Sequence, residues 1–236
     1  MTFSVVIPAK NEEENLLILL RSIKKQSLQP NEIIVADANS VDKTVQVAQQ
    51  FGAKVVAGGM PSAGRNSGAK SASSELIFFL DADVELLDKD FFKKSIQSFD
   101  SQKFDFATAD VFPKDGNWFD KITHKVYNKY VRFLGKRLPH TPGFCILIKK
   151  ELHNSIGGFD EAISFCEDHE YAGRAVKKGK FGFLDNVKIP VSTRRMKKDG
   201  RVNIVIKYFF AELHMIFLGP IKDDKFKYNF DHLEKK

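Results

Sequence analysis

The sequence predicts one α/β domain with a mostly parallel central sheet flanked by helices. Three observations carry that expectation. Short β-branched and aromatic runs alternate with amphipathic stretches through the first third of the chain. A hydrophobic fraction of 43% over 236 residues suffices for a full core. The apolar run Phe78-Phe79-Leu80 ends abruptly in Asp81-Ala82-Asp83, two carboxylates one residue apart. Carboxylates at the edge of a core repel each other and resist desolvation. Such a pair at the end of a buried strand points to a divalent cation or to a cationic or hydroxyl-bearing ligand, and so to phosphate-handling chemistry.

The elements follow in order. Thr2 to Pro8 reads as a β-branched strand, and Asn11 is expected to cap a helix that opens with Glu12, Glu13 and Glu14. That helix carries Leu16, Leu17, Leu19, Leu20 and Ile23 and ends at Lys24 and Lys25, so its charges suit both ends of the macrodipole. A second strand, Glu32 to Asp37, leads to a helix from Asp42 to Phe51 that Gly52 terminates. A third strand, Lys54 to Ala57, leads through Gly58-Gly59-Met60-Pro61 to a helix near Ala63 to Ser71, and Glu75 to Leu80 is the fourth strand. Ligands of such sheets bind beyond the carboxyl ends of the strands, where Asp37, Asp81 and Asp83 fall. Further on, Trp118 to Phe133 is an amphipathic helix whose aromatic residues suit packing or an apolar acceptor surface. Cys145 lies in an apolar strand, a helix follows Glu167-Asp168, and Val187 to Val191 is a strand.

Six segments, in this order, resemble the family 2 glycosyltransferases of the GT-A fold. They are Val5-Val6-Ile7-Pro8-Ala9-Lys10-Asn11-Glu12, Asp37-Ala38-Asn39-Ser40-Val41-Asp42-Lys43-Thr44, Gly64-Arg65-Asn66-Ser67-Gly68-Ala69, Phe79-Leu80-Asp81-Ala82-Asp83, Gly157-Gly158-Phe159-Asp160 and Glu167-Asp168. Their order and spacing carry the resemblance, each being weak alone. It implies a Rossmann-like nucleotide-binding half (1–110), an acceptor and catalytic half (111–200) and a C-terminal helix with a basic tail (201–236) in one domain. It also implies inverting transfer of a sugar from a nucleoside diphosphate donor, UDP-linked by default, to the hydroxyl of a glycan or lipid-linked acceptor. On this resemblance the donor contacts are Pro8, Asn11, Glu12, Asp37, Arg65, Asp81 and Asp83. Asp83 holds Mg²⁺ or Mn²⁺, and Asp81 reaches the ribose or the metal's water shell. Asp168 is the general base, with Gly143, Glu167 and His140 on the acceptor side. The chain departs from the family at Ala38 and Asn39, which stand where a second Asp and a Gly are usual. Asp37 keeps its role toward a base N–H, but the choice of nucleotide is left open.

Competing readings attach to several of these residues. Glu167 and Asp168 also suit a helix N-cap, and Arg65 with Asn66 also suits an exposed helix start, although its planar fork matches a base carbonyl or phosphate. Arg194 and Arg195, with Lys197, Lys198 and Arg201, read either as a loop closing over the diphosphate or as a solvated charge run. Val202 to Leu218 is apolar but interrupted by Lys207, Glu212 and His214. It is expected to pack on the core or, second, to lie in a membrane interface. The net charge of +7 is spread over helix faces without a nucleic-acid motif, so it suits a nucleotide diphosphate or an anionic membrane instead. Two cysteines without metal-ligand spacing and a chain opening on a strand lead to the expectation of a cytoplasmic protein, at the inner membrane face if the last helix lies there. The remaining function classes are a sugar nucleotidylyltransferase and a catalytically degenerate nucleotide-sugar-binding module. The first lacks its Gly-rich loop after strand one, where Pro8-Ala9-Lys10-Asn11-Glu12 stands.

Overall fold

The computed structural model describes residues 1–163, 165–193 and 200–221. The amino-terminal part alternates β1 (Phe3–Ala9), α1 (Glu13–Lys24), β2 (Glu32–Asp37), α2 (Thr44–Gln50), β3 (Lys54–Ala57), α3 (Pro61–Ser71) and β4 (Leu76–Leu80). There follow α4 (Phe91–Ser101), β5 (Phe106–Pro113), α5 (Trp118–Leu134), β6 (Cys145–Lys149), α6 (Lys150–Ser155), α7 (Glu167–Ala175), β7 (Phe181–Val191) and α8 (Arg201–Leu218). The strands form one sheet in the order β3-β2-β1-β4-β6-β5-β7. The pairs β1–β2, β1–β4, β2–β3 and β5–β7 are parallel, and β6 runs antiparallel to both β4 and β5. Because β2 and β4 flank β1 on opposite sides, the chain reverses direction across the sheet there and opens a crevice at the carboxyl ends of the three strands.

Both faces of the sheet are covered, which is why its strands read as continuous apolar runs. On one face Val5, Ile7, Phe78 and Leu80 pack with Leu16, Leu19 and Leu20 of α1 and with Phe91 and Phe92 of α4. On the other, Val6, Ile77, Phe79, Ile146 and Ile148 meet Ala69 of α3 and Tyr171, Ala172 and Ala175 of α7. Phe3, Phe78 and Phe92 form an edge-packed aromatic group with centroids 5.0–5.4 Å apart. Burying each such ring contributes about 2–3 kcal/mol. Helix α3 lies close on β1 because Gly68 faces it, where an added Cβ would stand 2.3 Å from Val6 Cγ1.

Three local expectations need correction. Asn11 does not cap α1: it takes a positive φ of 52°, and Glu12 occupies the cap position without a side-chain capping bond to the helix amides. The amides at that helix start, which have no intrahelical partner, are satisfied from the next βα loop, Glu12 N by Thr44 Oγ1 (2.9 Å) and Glu13 N by Asp42 Oδ2 (3.2 Å). Helix α2 therefore begins at Thr44 and not at Asp42, whose carboxylate also accepts from Thr44 N. Arg201 is not part of a solvated run: its guanidinium clamps the buried Asp120 through Nε–Oδ1 (2.7 Å) and Nη2–Oδ2 (2.9 Å). Asp120 in turn completes a capping box with Asn117 at the start of α5. Helix α8 buries Ile204 and Ala211 but leaves Ile206, Phe210 and Phe217 exposed. Among the described residues no helix is long and apolar enough to cross a membrane.

Candidate active site

The carboxyl ends of β1, β2 and β4 deliver most of the site. At the end of β2, Asp37 Oδ2 accepts from Ser40 N (3.0 Å) and is held in a tight turn. Its Oδ1 is buried and has no hydrogen-bond partner among the described residues. A buried acceptor left unmet costs about 1–3 kcal/mol, so this oxygen is set for a donor from outside the chain. Around it, Asn11 ties the β1–α1 loop to the β2–α2 loop, donating from its backbone to Ser40 Oγ (2.8 Å) and accepting from Val41 N (2.9 Å). Glu12 is buried beneath that loop with Asn15 Nδ2 on its carboxylate. Pro8 faces the first turn of α3, where Gly64 leaves room for it: a Cβ there would lie 3.0 Å from Pro8 Cβ.

Arg65, in the first turns of α3, is buried, and its fork is spent inside the protein. Nη2 meets Asp81 Oδ1 at 2.8 Å and Nη1 meets Glu167 Oε1 at 2.8 Å, with Cζ 5.4 Å from the Phe159 ring centroid. Burial works against the charge, but Asp81 and Glu167, with Asp168 beyond them, outweigh it and hold the guanidinium above its usual pKa. The fork assigned from the sequence to a base carbonyl or phosphate is thus turned to two carboxylates. Asn66 pairs twice with the backbone of Phe159, donating from Nδ2 to its O (2.9 Å) and accepting from its N at Oδ1 (2.8 Å). This fastens the Gly157-Gly158-Phe159-Asp160 turn to α3, and the Phe159 ring stacks on Tyr171 at 3.8 Å.

Asp168 enters from the opposite side, in the first turn of α7. Its Oδ2 accepts from Gly143 N (2.8 Å) and its Oδ1 from His169 N (2.9 Å). Neither it nor Glu167 is the N-cap: Cys166 holds that position with a positive φ of 59°. Asp168 is 17% exposed in its side chain, enough for one face to meet a ligand. Burial raises its pKa; Arg65 and the two amides work against that, and the charge of Asp81 adds to it, leaving the carboxyl above the usual range. Glu167 is likewise raised by burial, with Arg65 opposing and Asp168 reinforcing. Three carboxylates thus share one guanidinium and keep a net negative charge, which favours taking up a proton. Asp83 lies half-buried in the turn beyond Asp81.

Gly143 is required where it is, since an added Cβ would stand 2.6 Å from Arg65 Nη2. His140 is buried behind Asp168: its ring packs at 4.4 Å on that of His169, the next residue, and its Nδ1 donates to Leu138 O (2.8 Å). It borders a separate cavity of about 570 Å³ with His169 and Glu212. Burial pulls the His169 pKa down to about 4 and that of His140 below its usual value, so both rings are neutral near pH 7. Arg194 and Arg195 lie outside the described residues. Two supports escaped sequence reading: Thr141, whose hydroxyl donates to Asp168 O (3.0 Å), and His169, whose amide serves the same residue. Their only signal was adjacency to residues already singled out.

Comparison with known proteins fits this arrangement. The model of the family described as Glycosyl transferase family 2 matches residues 4–157. The chain is 37% identical over 112 residues to a 4,4'-diaponeurosporenoate glycosyltransferase of Staphylococcus haemolyticus, covering 44% of this chain and 30% of that one. It is 26% identical over 151 residues to the poly(ribitol-phosphate) beta-N-acetylglucosaminyltransferase TarS of Staphylococcus aureus, covering 60% of this chain and 26% of that one. The chain therefore spans 26–30% of the length of these curated relatives. Among solved structures, S. aureus TarS 1–349 in complex with UDP-GlcNAc aligns at TM-score 0.67 and 21% identity over 91% of this chain and 67% of that one. The mannosyltransferase PcManGT from Pyrobaculum calidifontis, in complex with GDP-Man and Mn²⁺, aligns at TM-score 0.68 and 18% identity over 89% and 60%. At such identities these structures share the fold.

Proposed function

The chain belongs to glycosyl transferase family 2, and from that premise we propose that it moves a sugar from a nucleoside diphosphate donor to an acceptor hydroxyl with inversion at the anomeric carbon. The observation that carries the reading is the position of Asp168, a raised-pKa carboxylate held by Gly143 N and His169 N beside the Arg65 group. A carboxylate whose pKa is raised is a stronger base toward a hydroxyl than an ordinary one. In this reading the acceptor oxygen loses its proton to Asp168 and bonds to the anomeric carbon. The bond from that carbon to the diphosphate breaks, and its electron pair leaves with the nucleoside diphosphate. The orphaned Asp37 Oδ1 takes an N–H of the base, and UDP is the default that the family resemblance implies, with TarS solved with UDP-GlcNAc and PcManGT with GDP-Man. Pro8, Asn11 and Glu12 wall the same crevice. Arg65 acts as a positioning residue, fixing Asp81 on the donor side and Glu167 on the acceptor side. For Arg194 and Arg195, outside the described residues, contact with the departing diphosphate is proposed from the sequence alone, beside the reading as a solvated charge run.

The side chains present fit a divalent ion of the Mg²⁺ or Mn²⁺ kind. Asp83 and the oxygen of Asp81 not turned to Arg65 are hard donors at the end of β4, and no group of three or more His, Cys, Asp or Glu converges on a point among the described residues. Such a sparse set suits an ion whose shell is completed by substrate phosphates and water. When bound, the ion neutralises the charge that grows on the leaving diphosphate.

The test is a thermal shift with UDP, GDP, CMP and dTDP, each with and without Mn²⁺, on the native chain and on Asp83→Ala. A nucleotide at a hundred times its dissociation constant adds about 2.7 kcal/mol of stability. Metal-dependent stabilisation by one nucleotide, lost in Asp83→Ala, is expected. Release of nucleoside diphosphate from the sugar donor then marks an enzyme, and binding without turnover marks a degenerate module, the reading that Ala38 keeps open.

A further inference from the structure

We propose that α5 is a docking surface for an anionic membrane. Trp118, Ile122, Val126 and Phe133 are 72%, 51%, 60% and 88% exposed. At 100° per residue they fall within one arc of about 80°, a stripe roughly 22 Å long. Lys121, Lys125 and Lys129 repeat every fourth residue, the first two on one flank of that stripe and Lys129 inside its near edge, and all three are exposed without an ion-pair partner among the described residues. The helix carries one acid, Asp120, which is fully buried and clamped by Arg201, so its outer face is wholly basic. An apolar stripe bordered by lysines is the pattern of a helix lying in an interface, its rings among acyl chains and its ammonium groups at anionic headgroups. A second copy of the chain fits this face poorly, since a two-fold contact would bring the lysine rows together. Helix α8 runs beside α5 in the same direction, joined by Arg201–Asp120 at one end and Tyr130–Glu212 (2.7 Å) at the other, and it too leaves Phe210 and Phe217 exposed.

The placement bears on chemistry. Helix α5 ends at Leu134, shortly before Gly143, whose amide holds Asp168, so a docked α5 anchors the segment that carries this support of the proposed base. The docking itself stands on this surface alone and does not depend on the donor chemistry.

Trp118 is the chain's one tryptophan and sits in the stripe, so its emission reports docking directly. Phosphatidylcholine vesicles with and without phosphatidylglycerol are added to the full chain, and emission and co-sedimentation are followed as salt is raised. The expected result is a blue shift and pelleting with the anionic vesicles only, reversed by salt. The combined Lys121→Gln, Lys125→Gln and Lys129→Gln variant should lower partition on the order of a hundredfold, at about tenfold or less per charge. Phe133→Asn should lower it while leaving the melting temperature and any nucleotide-induced shift unchanged. Unchanged emission with anionic vesicles overturns the proposal. A blue shift that instead tracks protein concentration, with a dimer in sedimentation equilibrium, also overturns it and assigns the stripe to self-association. Loss of the nucleotide shift in the native chain would strike the donor reading and leave the vesicle result intact.

Discussion

Asp168 carries the most of any single side chain, and its environment makes two consequences measurable. Because burial raises its pKa above the ordinary 3.8, its ionised form costs more in the folded than in the unfolded chain. The folded state binds the proton more tightly, so this group lends stability below 3.8 that is lost as pH rises through its folded value. In its proposed role turnover is expected to run the other way, falling as pH drops through that same value, because a general base must be ionised. Asp168→Asn should therefore lower turnover by about 10²–10⁴-fold, keep the nucleotide-induced thermal shift, and flatten the acid limb of the melting-temperature profile. A variant that kept native turnover would remove Asp168 from the chemistry. The place of the acidic pair at the start of α7 was legible in sequence because carboxylates opening a helix are a local signal, while the role proposed for Asp168 came from the family resemblance. The use of Arg65 was not: its two partners lie 16 and 102 residues away, and an arginine at a helix start looks the same whether it faces a ligand or a carboxylate.

The strands β1 to β4 were legible nearly to the residue, since sheets covered on both faces leave uninterrupted β-branched and aromatic runs between turn signals. Helix α4, strand β5 and helix α6 were not anticipated. In α4, the Phe91-Phe92 pair and Phe99 are buried, but Ser95 and Ser98 hold the remaining inner positions and blur the helical pattern. In α6, six residues are too few to show a period. The start of α1 misled for a different reason: its amides find partners thirty residues on, in Asp42 and Thr44, which no rule about neighbouring residues contains. The glycines of α3 announced close packing without saying against what. The answer, Val6, gives a prediction. Gly68→Ala places a methyl group 2.3 Å from Val6 Cγ1, inside a contact that neither the fully buried strand nor the helix can yield cheaply. Overpacking of this kind costs about 1–3 kcal/mol, more than the gain in helix propensity. The variant should melt lower by several degrees, and an unchanged melting temperature would mean that α3 shifts freely on the sheet.

The sheet does not keep the two proposed halves of the chain apart. Strand β6, from the acceptor half, lies between β4 and β5, and residue 110, the boundary drawn from sequence, falls within β5. The candidate site repeats this interleaving: Asp81 and Arg65 come from the first half, Glu167, Asp168 and Gly143 from the second, and Arg65 is the bridge. We therefore expect the described chain to unfold as one cooperative unit, with β4–β6 and β6–β5 pairing denying either half an independent transition. Arg65→Met is the sharpest probe of that coupling. Among the described residues it removes the one cation bonded to Asp81 and Glu167 while roughly keeping the volume, and breaking a buried pair in this way costs about 3–5 kcal/mol. Part of that cost is relieved by proton uptake at Glu167 and Asp168, both already raised, so the loss should shrink as pH is lowered. Urea unfolding followed in parallel by far-ultraviolet circular dichroism and by Trp118 emission should give coincident transitions in both proteins, moved to lower urea in Arg65→Met. Separate transitions would mean that the halves fold alone and that Arg65 orders a site between them without holding the domain together.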